Sequence, residues 1–412
     1  MTNSNNKINR KNNLDSNISN IIDNIDSREG ITAVAGQLLN CLMSKERDIF
    51  LQNQIDDNKA NGFYDRNIAS NLGNLNLLVP RDRNSSFRSA ILPDAWQRGD
   101  NSYNEFISNL ILQSYSPNKI KSLLKSLNLP YSSSDIEEIK NDLYLKVKEL
   151  KNKQLTNNVF CIFIDAYHTQ IKDENNKIKK AVIYSIISID LTGKKELCGF
   201  YSFFGSESKE DWLVIFNDLI SRGLTRLLLV ISDDFSGLKE AIKSLFPNSS
   251  HQLCYIHMQR NVRRNMEKND AKEFNEELSI IRKSKDKESA ISKFESLCNL
   301  NKYKDKYKSF IKKLLLKKEL YFNFLDYPKT IRKHIYTTNI IENFNSRIEV
   351  KRINSGGYFQ SKKVVDIAIY LIANNLIQNR WKKSVPAFIE AEYEINQLFN
   401  LTFKKSENYL VD

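Results

Sequence analysis

Two stretches decide the fold: VFCIFI at Val159–Ile164, followed at once by Asp165, and RLLLVIS at Arg226–Ser232, followed at once by Asp233. Each is a continuous apolar run, the mark of a strand buried on both faces rather than one alternating between core and water. Around them the pattern predicts strands at Lys180–Asp190 and Glu196–Phe204, separated by a hairpin-like turn at Leu191–Lys194. A helix around Trp212 (Asp211–Ser221), a second at Ser236–Phe246 and a short strand at His251–Ile256 complete the unit. Three strands, helix, strand, helix, strand is the order of a mixed α/β sheet.

Asp165 and Asp233 are read as closing their strands. A carboxylate after five or six buried apolar residues is costly unless it meets a cation or another partner, and the carboxyl ends of strands are where sites form in open α/β sheets. If the two strands are neighbours, the carboxylates converge. Oxygen-only ligands suit Mg²⁺ or Mn²⁺, and two such ions stabilise the attacking and leaving oxygens of an in-line displacement at phosphorus. The same placement is met by aspartates that merely cap the following turn. Successive strand residues face opposite sides, so Asp233 is assigned to the site and Asp234 to capping the Ser236–Phe246 helix.

Sixty-two basic against 49 acidic side chains give a formal charge of +13, an excess that points to a polyanionic partner. Five cysteines, Cys41, Cys161, Cys198, Cys254 and Cys298, lack a paired spacing and read as reduced thiols. The polar, Asn-rich start has no apolar signal segment, and no run approaches the roughly 20 apolar residues of a membrane helix. A cytoplasmic, nucleoid-associated protein is expected.

Residues 1–30 read as a disordered lead-in. Ile31 to about Ile55 is an amphipathic helix, and Leu75–Val79 a short apolar run closing on Pro80. Ser116-Pro117 starts a helix that stops before Pro130, and Ser132 to Ser134 offer caps for a second helix, Asp135–Leu150. The pair fits a helix-turn-helix and equally an ordinary helical hairpin. Residues 258–335 are charged and helical in period, and 338–380 and 385–400 read as further helices. His251, Cys254 and His257 have a metal-like spacing, but structural zinc needs four ligands and no second pair is visible.

Further motifs add a resemblance. Asp233-Asp234-Phe235-Ser236-Gly237-Leu238, Gln252-x-Cys254-x-x-His257-x-x-Arg260-Asn261 and Tyr336-Thr337-Thr338-Asn339-x-Ile341-Glu342-x-x-Asn345 together resemble the signature of Mutator-related insertion-sequence transposases. So do Val79-Pro80-Arg81-Asp82-Arg83-Asn84 with Phe87, and Ile164-Asp165-Ala166. The motifs span about residue 60 to about 400. The resemblance implies a DDE transposase whose catalytic and metal-binding triad falls on Asp165, Asp233 and Glu342, holding two Mg²⁺ or Mn²⁺ ions. The family places Arg or Lys seven residues after the glutamate; here that position is Glu349, flanked by Arg347, Lys351 and Arg352.

The expected architecture is a ribonuclease-H-like mixed α/β core interrupted by a helical insertion, with a helical N-terminal DNA-binding region. Its parts are the lead-in (1–30), the DNA-binding region (31–150), the first part of the core (155–258), the insertion (259–335) and the final core helices (336–412). The expected activity is cleavage at insertion-sequence ends and transfer of the freed 3′-hydroxyl strand into target DNA. A nuclease or resolvase that does not join strands, and an inactive DNA-binding relative, are the alternatives. Partners are the terminal inverted repeats, target DNA and at least one further copy of the chain. DNA contacts are assigned to Arg81, Arg83, Lys119, Lys121, His257, Arg260, Asn261, Arg347, Lys351 and Arg352.

Overall fold

The computed structural model describes residues 28–53, 58–70, 73–93, 103, 106–107, 110, 117–126 and 133–407, so most of the expected lead-in lies outside the described residues. The chain forms two compact units, one ending at Leu143 and the other beginning at Tyr144.

The first unit contains helix α1 (Arg28–Gln52), strands β1 (Ala60–Ser70) and β2 (Gly73–Asp82), helix α2 (Pro117–Ser126) and the start of α3 (Ser133–Asn152). The region was expected to be helical apart from a short apolar run at Leu75–Val79; that run lies in the second strand of an antiparallel β1–β2 hairpin. Leu75, Leu77 and Val79 are buried while Asn74, Asn76 and Leu78 are exposed, the two-residue period of a half-buried strand. The inward residues pack with Ile68, Leu92 and Met43 of α1.

Asp82 ends β2 and is buried. Its carboxylate accepts from Asn58 Nδ2 (2.7 Å), Ser86 Oγ (2.7 Å), Ser86 N (3.1 Å) and Phe87 N (3.1 Å). Burial alone would raise its pKa, but these donors outweigh it and hold the carboxyl well below the usual range. The stability it contributes is present above the unfolded value near 3.8 and is lost as pH falls toward the depressed folded value. Asp82→Ala strands buried donors at a cost of about 2–3 kcal/mol. Amide exchange across residues 58–87 of the full chain should therefore accelerate by one to two orders of magnitude.

The second unit is built on β3 (Asn158–Lys172), β4 (Ile178–Asp190), β5 (Lys195–Phe204), α4 (Lys209–Ser221), β6 (Arg226–Ser232), α5 (Leu238–Leu245) and β7 (Ser250–Leu253). The sheet order is β5-β4-β3-β6-β7. The β3–β4 and β4–β5 pairs are antiparallel, and the β3–β6 and β6–β7 pairs parallel. Ile162 and Ile164 of β3 pack with Trp212, Ile215, Phe216 and Leu219 of α4 and Leu238, Ala241 and Ile242 of α5. The alternate residues Asp165 and Tyr167 point to the other face.

From Tyr255 to Ile335 the chain runs through helices α6 (Tyr255–Asn265), α7 (Lys268–Ile281), α8 (Lys287–Cys298), α9 (Asn301–Lys304), α10 (Lys308–Leu316) and α11 (Lys318–Phe322). A 3₁₀ turn (Asn323–Asp326) and α12 (Arg332–Ile335) close this stretch, and α13 (Asn339–Asn354), α14 (Lys362–Asn379), α15 (Pro386–Glu390) and α16 (Glu392–Glu407) complete the chain. The two ends of the excursion are tied together. Tyr255 N donates to Tyr336 O (2.8 Å), and Thr338 N donates to Cys254 Sγ (3.4 Å). That closure returns α13 to the sheet. No described helix is long and apolar enough to cross a membrane.

Candidate active site

Asp165 does not close its strand. It sits mid-way along β3, one residue past the last parallel pair, Ile164 with Ser232. Beyond that point β3 outruns β6, so the carboxylate lies where the neighbouring strand stops, beside Asp233 just past the end of β6. Adjacency of the two strands brings both aspartates to one place.

Asp165 Oδ2 accepts from Asn345 Nδ2 of α13 (2.9 Å), and Oδ1 accepts from the Ala166 N–H (2.8 Å). Asn345 is itself fixed by Ser185 Oγ, which donates to its Oδ1 (3.1 Å). Burial and the like charge of Asp233 push the Asp165 pKa up to about 6, against the pull of these hydrogen bonds.

Asp233 opens a tight loop. Its carbonyl accepts from Phe235 N (3.0 Å) and from Ser232 Oγ (2.8 Å). His251 Nε2 lies 2.8 Å from that hydroxyl, and burial pushes the His251 pKa down to about 4, leaving the ring neutral. Gly237 takes φ 75°, where a Cβ would stand 2.6 Å from Lys209 Cγ. Asp234 does not cap α5, whose N-cap is Gly237. It forms an ion pair with Lys317 instead, because the loop turns it outward toward the helical excursion.

Glu342 lies in the first turn of α13. Arg260 of α6 grips it with both arms, Nη1 to Oε1 at 2.9 Å and Nη2 to Oε2 at 3.0 Å. Burial raises the Glu342 pKa, but Arg260 outweighs that and lowers it. Thr338 Oγ1 lies 3.2 Å from both Glu342 Oε1 and Cys254 Sγ, and its side chain makes no capping bond to α13. His257 links the carboxylates: Nδ1 faces Asp233 Oδ1, and Nε2 lies 3.6 Å from Glu342 Oε1. Burial opposes a charged imidazole, but Asp233 and Cys254 outweigh it and push the His257 pKa up. Arg260 Nη1 nonetheless sits 2.7 Å from Nε2, a contact that needs Nε2 as acceptor; in this arrangement the ring's proton is on Nδ1, toward Asp233. His257, Arg260 and Asn345 thus organise the cluster. The sequence marked Arg260 only as a DNA contact, put Cys254 and His257 near the active site or the entry to the helical insertion, and gave Asn345 no role, although its spacing of one turn from Glu342 was visible.

The family model described as "Transposase, Mutator family" matches residues 1–384. The chain belongs to the Mutator family of transposases. A transposase for insertion sequence element IS1201 of Lactobacillus helveticus is 28% identical over 317 residues, 76% of this chain and 83% of its own length. A probable transposase for an ISRM3-like element of Sinorhizobium fredii is 25% identical over 372 residues, covering 90% and 92%. The Drosophila P element transposase strand transfer complex overlaps 73% of this chain and 86% of its own at 12% identity, with a TM-score of 0.29. An overlap that loose has no bearing on the fold.

In this Mutator-family transposase Glu349, seven residues after Glu342, is held in a network rather than left in place of a cation. Arg352 forks onto it (2.6 and 2.8 Å) and also donates to Tyr167 Oη (3.1 Å) and Gly357 O (2.7 Å). Arg352 and Tyr167 push the Glu349 pKa down to about 2. Lys351 is buried, and burial with the charge of Arg347 pushes it down to about 8. Arg347 and Asn261 are half-buried, whereas Arg81, Arg83 and Lys121 are exposed. Arg81 lies over the Tyr64 ring at 5.1 Å. The Lys119 side chain lies outside the described residues.

A second grouping shares Asp233. Among the described residues, the donor atoms of Asp233, Cys254 and His257 all lie within 4.8 Å of one another, a spacing that can hold a metal ion.

Proposed function

We propose that this transposase cuts DNA at the ends of an insertion sequence and joins the freed 3′-hydroxyl to target DNA, using Asp165, Asp233 and Glu342 as ligands of Mg²⁺ or Mn²⁺. The observation that carries the reading is that Asp165 and Asp233 lie close enough to repel at the end of β6, while His257 reaches from Asp233 toward Glu342. Two aspartates crowded enough to raise the Asp165 pKa form a site that a divalent cation would relieve. The oxygen donors fit a hard ion. Bound there, the ion would supply charge stabilisation to the attacking and leaving oxygens at phosphorus.

The chain's own groups do the rest. Asn345 aims Asp165, and the Ser232–His251 contacts hold the Asp233 loop. Arg260 keeps Glu342 ionised; on releasing it, its planar fork matches a DNA phosphate. We read the five-stranded sheet, with its second strand antiparallel, as ribonuclease-H-like, and residues 259–335 as the insertion into it. Residues 31–150 bind the terminal repeats through α2, α3, Arg81, Arg83 and Lys121, and two copies pair two DNA ends. The transposase acts in the cytoplasm at the nucleoid.

Full-length protein is incubated with its own element ends, a target plasmid and Mn²⁺, and products are resolved on a sequencing gel. Joined products are expected. Cleaved but unjoined ends would assign a nuclease or resolvase, and intact DNA would leave only a binding role.

A further inference from the structure

We propose that Asp233, Cys254 and His257 form a binding position for a thiophilic divalent cation of the Zn²⁺ class, distinct in donor chemistry from the all-carboxylate set. Spacing in the sequence offered at most a histidine–cysteine–histidine run. The fold removes His251, which lies in β7 against Ser232, and supplies Asp233 in its place. Cys254 and His257 lie three residues apart across the start of α6, so one turn presents both to the end of β6. Cys254 N donates to Ser232 O (2.8 Å), locking that turn against the strand.

Two further observations point to a ligand. His257 Nδ1 and Asp233 Oδ1 face each other as an ion pair with both atoms screened from water, so a cation entering between them would replace the ring proton and take two ligands already aimed at one point. Cys254 Sγ accepts from Thr338 N (3.4 Å) and Thr338 Oγ1 (3.2 Å), contacts of the kind that orient a ligating thiolate. A sulfur, a nitrogen and an oxygen suit Zn²⁺ or Co²⁺ rather than Mg²⁺. Three protein ligands leave a fourth position for water or a phosphate oxygen. The inference shares Asp233 with the proposed function and otherwise stands apart from it.

The full-length protein, reduced and free of metal, is titrated with Co²⁺ without DNA or Mg²⁺ while absorption is recorded. One Co²⁺ per chain with thiolate-to-cobalt charge-transfer absorption is expected. Cys254→Ser and His257→Ala should each remove the absorption, and Cys41→Ser, which removes the exposed thiol, should not. Circular dichroism establishes that each variant is folded; if Cys254→Ser is not, His257→Ala decides. No charge-transfer absorption, or absorption that His257→Ala leaves intact, overturns the inference. Neither result touches strand transfer, which is measured separately with Mg²⁺.

Discussion

Asp165→Asn, Asp233→Asn and Glu342→Gln should each lower DNA cleavage by about 10³-fold or more while leaving binding to element ends within a few-fold of wild type. Each change keeps the shape of the side chain and removes one ligand charge, and loss of metal-centred stabilisation is worth several kcal/mol. The variants separate further. Asp165→Asn relieves the like-charge contact with Asp233 but sets its amide nitrogen against one of two donors, Asn345 Nδ2 or Ala166 N, so the two effects offset and the fold should change little in stability. Glu342→Gln loses the two-armed contact with Arg260, a half-exposed group, and should cost little more than a surface pair. Cleavage at near wild-type rate in Asp233→Asn would move the role to Asp234. Gel assays of cleavage beside fluorescence anisotropy of binding make the measurement.

Trp212→Ala should destabilise the second unit by about 3–5 kcal/mol, the usual cost of truncating a large buried aromatic. Its ring is fully buried, 4.5 Å from Tyr184 and 5.4 Å from Phe235 between ring centroids, and its Nε1–H donates to Ser236 O (3.2 Å). Phe235 and Ser236 belong to the loop that follows Asp233, so the same truncation loosens the site. Cleavage should fall although Trp212 touches none of the three carboxylates. Trp212→Phe keeps most of the packing and loses the indole hydrogen bond, worth about 1 kcal/mol. Chemical denaturation of the three proteins should rank them wild type, Phe, Ala.

The parts of the fold legible in the sequence were those written in strong periodicity. VFCIFI and RLLLVIS read as buried strands because both faces are covered, and the strand–helix order followed from the intervening helices. β2 was less visible because its outer positions are partly Asn, so Leu75, Leu77 and Val79 looked like one short apolar run. Asp165 was taken for a strand end because apolarity stops there. β3 in fact continues to Lys172, paired with β4 along an edge that β6 has left.

Long-range closure left no local signal. Nothing in residues 254–257 says that Asp233 will join them, and nothing near Glu349 says that Tyr167 will meet it across the sheet. Arg260 was read from its charge as a DNA contact, and His257 was put near the active site without a named partner. Their place among carboxylates depends on the closure at Tyr255–Tyr336 and Cys254–Thr338 that returns α13.

The central claim is that Asp165, Asp233 and Glu342 hold the catalytic ion together, and metal-directed backbone cleavage tests it most directly. Fe²⁺ replaces Mg²⁺ in the full-length transposase, and ascorbate with peroxide generates hydroxyl radicals where the ion is bound. The account predicts breaks near residues 165, 233 and 342 together, suppressed by excess Mg²⁺ and absent in Asp165→Asn. Breaks confined to residues 233 and 254–257, or breaks that excess Mg²⁺ leaves unchanged, would contradict it.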